Sequence, residues 1–159
     1  FDFTQGYSGT LKNCYGVWES GYTSTEADPR GIEADGNLDG IYPDHLRQSD
    51  FAVENMTIVN NAANTTDNAD RMQDVIKIRR GAKATITNAL VKGSGGTIDL
   101  IDMNDSKGAG SAASSISITY TLNFKNKLNG TLNTFTEPTT NTGADASLFT
   151  WSGYNFSSL

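Results

Sequence analysis

The chain has 159 residues, 36% of them hydrophobic, with a mean hydropathy of −0.42 and a formal net charge of −6 at pH 7. That length suits one domain. A pI of about 4.6 excludes a nucleic-acid partner, because phosphate contacts need basic surface. No stretch approaches the roughly 18 apolar residues of a membrane span, and the single cysteine, Cys14, excludes an internal disulfide.

In chain order, a short alternating segment recurs, and three of its copies lead to a second one that reads apolar–polar–Asn–small or apolar. Phe1-Asp2-Phe3-Thr4 precedes Leu11-Lys12-Asn13-Cys14. Ile32-Glu33-Ala34-Asp35 precedes Val53-Glu54-Asn55-Met56, across a Gly/Pro/Asp-rich insertion over residues 37–48. Ile76-Lys77-Ile78-Arg79 precedes Ile86-Thr87-Asn88-Ala89, and Ile98-Asp99-Leu100-Ile101 opens a fourth copy with a small, polar insertion over 104–115. Repetition at about 22 residues, with period-2 alternation inside each strand, predicts a solenoid whose equivalent residues stack above one another. The predicted fold is all-β: a right-handed parallel β-helix of about four coils with long loop insertions and a C-terminal cap.

This register predicts three inward columns: Phe1–Ile32–Ile76–Ile98, Phe3–Ala34–Ile78–Leu100 and Leu11–Val53–Ile86–Ile118. It also predicts an asparagine ladder, Asn13–Asn55–Asn88, at a bend, with Cys14 beside it in a column with Met56 and Ala89. Glu33, Lys77 and Asp99 form an expected outward charge ladder, repeated one step along by Asp35 and Arg79. The coils are expected over residues 1–125 and the cap over 126–159, with Phe135, Leu148, Phe149, Trp151, Tyr154 and Phe156 covering the last coil. Phe1 and Phe3 open two inward columns with no cap before them. The expected partner at that edge is therefore a set of preceding coils or another protein chain.

The runs Phe1–Thr10, Asp28–Asn37 and Val75–Ala82 resemble the C-terminal part of a family of secreted right-handed β-helix proteins of Gram-negative bacteria, grouped with pectate-lyase-like β-helices. The resemblance implies a β-helix at the cell surface or outside the cell, in a family most of whose members have no assigned activity. The expected role is that of a binding or structural module, with a polysaccharide as partner. The alternative it carries is a Ca²⁺-dependent polysaccharide lyase or a glycoside hydrolase.

Three candidate sites come from the residues themselves. Asp35, Asn37 and Asp39, followed by Gly40, place oxygens at positions 1, 3 and 5 before a glycine, which matches the first half of a calcium loop. Ca²⁺ is the cofactor this motif implies, although position 12 is Leu46. The same residues also suit a plain Asx turn leaving a strand. Trp18, Tyr22 and Tyr42 are expected to bind ligand, since exposed rings beside carboxylates offer a face to a pyranose; packing of the long loops is the other use of these rings. Lys77, Arg79, Arg80 and Lys92 form a basic cluster that supplies either a lyase base or charge balance between coils. No catalytic set is assigned: His45 is the only histidine, which leaves a nucleophile–histidine triad without support.

Overall fold

A computed structural model describes residues 1–63, 71–156 and 159. Ten strands alternate between two parallel sheets: β1 (Asp2–Phe3), β2 (Ser8–Trp18), β3 (Ile32–Ala34), β4 (Asp50–Asn60), β5 (Met72–Ile78), β6 (Lys83–Gly93), β7 (Thr97–Asp102), β8 (Ser115–Tyr120), β9 (Asn126–Asn129) and β10 (Thr134–Thr136). Odd strands build one sheet in the order β1-β3-β5-β7-β9, and even strands build the other, β10-β8-β6-β4-β2. Each odd–even pair is one coil, so the chain is a parallel β-helix. The strand pairs number five among the described residues, not about four. Asn-Lys-Leu-Asn and Thr-Phe-Thr are too polar and short to announce β9 and β10, yet they continue both sheets past residue 125.

The bend in the even strands explains the asparagines. Asn13, Asn55 and Asn88 have φ of 55°, 59° and 52°, the left-handed region that asparagine tolerates better than other non-glycine residues. The turn resets the alternation: Val53 points into the core before it and Met56 after it, both at most 1% exposed. The amides stack as predicted, Asn55 Nδ2 donating to Asn13 Oδ1 at 3.2 Å and Asn88 Nδ2 to Asn55 Oδ1 at 2.8 Å. Next along, β8 omits one residue between Ile116 and Ile118, so Ile86 meets Ile116 and Ala89 meets Ile118. The column that starts at Leu11 therefore ends on Ile116 rather than Ile118. Cys14 stacks on Met56 and Met56 on Ala89, as expected.

In the odd sheet, Ile32 pairs with Ile76 and Ile76 with Ile101, three residues beyond the expected Ile98. Val75 with Ile76 and Leu100 with Ile101 are consecutive residues that all lie in the core, so strict alternation lapses there. As a result the partner of Lys77 is Asp102, not Asp99, and Asp99 pairs with Asp74. Phe3 is 4% exposed, stacked on Phe51 at 4.0 Å and in tilted contact with Tyr7 at 5.6 Å. Phe1 does not enter the core. It is 41% exposed, and its ring lies on strand β2 where Gly16 has no side chain to displace it.

The C-terminal segment is a strap along the helix rather than a lid on the last coil. Thr142 N donates to Asn88 Oδ1 (2.8 Å) and Ala144 N to Thr57 Oγ1 (3.0 Å), which brings the strap from β6 to β4. Gly143, at φ 71°, permits that approach, because a Cβ there would collide with Thr57. Further on, Phe149 and Phe156 pack edge-on against Tyr15 of β2, and the Tyr154 hydroxyl bonds Glu19. The strap thus reaches the first coil, while Trp151 stays 82% exposed. Leu122, Phe124, Leu128, Leu132 and Phe135 instead pack against the core near its far end. Among the described residues no helix is long and apolar enough to cross a membrane.

Candidate ligand-binding groove

A concavity of about 660 Å³ lies beside the first two coils. The end of β2 supplies Tyr15, Gly16, Val17 and Trp18; the connection to β3 supplies Tyr22, Glu26, Asp28 and Arg30; Glu33 follows on β3. Trp18 is half-buried against the core, and its Nε1 donates to the Tyr22 carbonyl at 2.9 Å. That bond holds Tyr22 edge-on to the indole, 6.2 Å between centroids, with Tyr22 64% exposed. Tyr15 is braced from behind by the strap. Two of the three expected ligand-binding rings, Trp18 and Tyr22, therefore share one groove. Tyr42 lies elsewhere, on the 37–48 loop, exposed, with its carbonyl accepting from Gln48 Nε2.

Arg30 lies in the groove lining with its side chain only 7% exposed. Its Nε donates to Asp74 at 3.2 Å, Nη2 contacts Asp28 at 2.9 Å, and Nη1 stands 3.1 Å from Glu33 Oε1. The last contact is an ion pair without hydrogen-bond geometry, so Nη1 is a buried donor with no acceptor. Burial alone would lower the guanidinium pKa, but Glu33, Asp74 and Asp28 outweigh it and hold the charge more firmly than usual.

Behind Arg30, Asp74, Asp99 and Asp102 bring carboxylate oxygens within 4.8 Å of one another. Each has a partner: Asp74 takes Arg30, Asp102 takes the buried Lys77, and Asp99 accepts from Asn126 Nδ2 at 2.7 Å. Burial pushes the Asp74 carboxyl up, against the pull of Lys77 and Arg30. Sequence reading missed Asp74, although Asp74-Val-Ile-Lys and Asp99-Leu-Ile-Asp already align as one repeated frame.

The Asp35–Asp39 loop forms a second charged cluster, at the corner after β3. Asp35 accepts from Arg79 Nε at 2.7 Å and faces Arg80 Nη1 at 3.2 Å; Asp39 is held by Arg80 and by Lys107 at 2.9 Å. Asn37 Nδ2 donates to the Arg47 carbonyl at 3.1 Å and lies 3.2 Å from His45 Nδ1. The two glycines of the loop serve Arg80. A Cβ on Gly36 would collide with the Arg80 carbonyl, and one on Gly40 would stand 3.1 Å from the Arg80 side chain. Guanidinium and ammonium groups of the chain thus occupy the carboxylates that a Ca²⁺ ion would need, and this donor set does not suit a metal. Asp105 completes the corner. Burial alone would raise its carboxyl pKa, but bonds from Arg80 and the Lys107 amide hold it below the usual carboxylate range. Of the basic cluster, Lys77, Arg79 and Arg80 are all ion-paired, and Lys92 donates to the Leu159 carbonyl at 3.2 Å.

The model of the pectate-lyase-like beta helix domain matches residues 1–154. The chain belongs to that family. Neither the curated proteins nor the solved structures give a match to it. Membership in the pectate-lyase-like β-helix family agrees with the two parallel sheets and supports a polysaccharide-related role, without fixing a ligand or a reaction.

Proposed function

We propose that this β-helix is a glycan-binding module whose binding site is the Trp18–Tyr22 groove. The observation that carries the reading is the joining of two aromatic rings and a rim of carboxylates in one open concavity. A pyranose presents an apolar C–H face and a belt of hydroxyls; rings suit the first and charged hydrogen-bonding groups the second. The test is calorimetry of the whole chain against a panel of polysaccharides, repeated with Tyr22→Ala. Tyr22 is mostly exposed, so its loss leaves the fold intact and should weaken binding about tenfold or more. A panel with no binder, or a Tyr22→Ala variant with unchanged affinity, would remove the groove as the site.

Hydrolysis is the second reading, and Asp74 is its specific support. A carboxyl raised by burial within 4.8 Å of two other carboxylates has the character of a general acid. Against it, Asp74, Asp99 and Asp102 are at most 9% exposed and each is ion-paired or hydrogen-bonded. A lyase fares worse, since Lys77, Arg79 and Arg80 are neutralised by carboxylates and none is free to act as base. Release of reducing ends from any polymer of the same panel, lost in Asp99→Asn, would establish the hydrolase instead.

A further inference from the structure

We propose that the groove accepts a neutral, hydroxyl-rich glycan and excludes polyuronates; the proposal rests on the glycan-binding reading above. Two observations carry it. Four side-chain carboxylates line the groove, Asp2, Glu26, Asp28 and Glu33, against one side-chain cation, Arg30. That cation is already shared among Asp28, Glu33 and Asp74, so its charge is more than compensated before any ligand arrives.

The ligand group that fits is a hydroxyl. A sugar hydroxyl donates its proton to a carboxylate of the rim and adds no charge. A uronate carboxylate would instead sit among Asp28 and Glu33, with Asp2 and Glu26 close along the rim and the charge of Arg30 already taken up. Like charges a few ångströms apart at a half-exposed site weaken binding on the order of tenfold per pair. The aromatic wall, Trp18 and Tyr22, does not distinguish the two sugars, since both offer an apolar face. Selection therefore falls to charge.

The experiment compares cellohexaose, mannohexaose and xylohexaose with hexagalacturonate on the whole chain by calorimetry, at low and at high salt. At least one neutral hexasaccharide should bind, with hexagalacturonate tenfold or more weaker, and salt should narrow that gap because it screens the carboxylates. The double variant Asp2→Asn with Glu26→Gln changes two exposed side chains and should narrow the gap at low salt as well. Hexagalacturonate binding as tightly as the neutral probes would overturn the proposal and leave glycan binding standing. Neutral binding with a gap that neither salt nor the double variant moves would overturn the charge argument. Silence from all four probes would overturn the groove reading and the proposal together.

Discussion

Two clusters of arginine and carboxylates meet at Glu33, which pairs with Arg30 in one and with Arg79 in the other, and only one of them is sealed. At the corner after β3, Arg79, Arg80 and Lys107 meet Glu33, Asp35, Asp39 and Asp105, with cations and anions nearly matched and the Arg80 stem pressed against Gly40. In the groove, Arg30 faces a surplus of carboxylates, leaves one donor without an acceptor, and borders open space beside Trp18 and Tyr22. The same residue types thus serve the fold in one place and suit a ligand in the other. What separates them is the count of partners and the volume left over, not the chemistry of any one side chain.

The largest expected effect tests the sealed corner. Arg80→Ala removes one cation from three carboxylates and leaves a cavity lined by charge. It should destabilise the chain by about 3–5 kcal/mol, measured by urea unfolding. A loss below about 1 kcal/mol would make the corner an ordinary surface network and erase the contrast with the groove.

The asparagine ladder sharpens the comparison, because it is a stacked polar column without charge. Asn55→Leu loses the bonds to Asn13 and Asn88 and places a branched side chain at φ 59°. The expected loss is about 1–3 kcal/mol, and Asn55→Gly should recover part of it by relieving the backbone. If Asn55→Leu matched Arg80→Ala, burial rather than charge would explain the corner.

A smaller effect concerns pH. The Asp105 carboxyl has a folded pKa below its unfolded value, so the unfolded chain binds the proton more readily. Its contribution is complete above the ordinary carboxylate pKa of about 4 and disappears as pH falls through the folded value. Melting temperature across acid pH should fall less steeply for Asp105→Asn than for the parent chain. Parallel curves would show that the corner does not hold this carboxylate in its charged form.

The smallest effect on stability is expected in the groove. Tyr22→Ala should change unfolding free energy by no more than about 0.5 kcal/mol, since the ring is mostly in solvent. A much larger loss would assign Tyr22 to packing and return the groove to the fold.

The repeat, the asparagine column and the core pairs Ile32–Ile76 and Val53–Ile86 were legible in the sequence, because stacking makes each coil repeat the demands of its neighbour. The fourth coil was misread by three residues. A search for alternation selects Ile98, whereas the buried pairs Val75–Ile76 and Leu100–Ile101 require Ile101. The glycine-spaced acids of the 35–40 loop read in the sequence as half a calcium loop or an Asx turn. That Arg80, one coil further on, pairs with Asp35 and Asp39 was not legible there.

Local pattern by itself thus determined the class of fold and the inward columns of the second and third coils, since backbone geometry and burial act on neighbouring residues. The tertiary structure decided three further matters: which charges find partners, that the C-terminal segment returns along the helix to brace Tyr15, and that Trp18 and Tyr22 share a groove which Tyr42 does not reach. The first two depend on distances between coils and the third on the path of a loop, and a coil's loops can vary in length without disturbing the repeat that positions them.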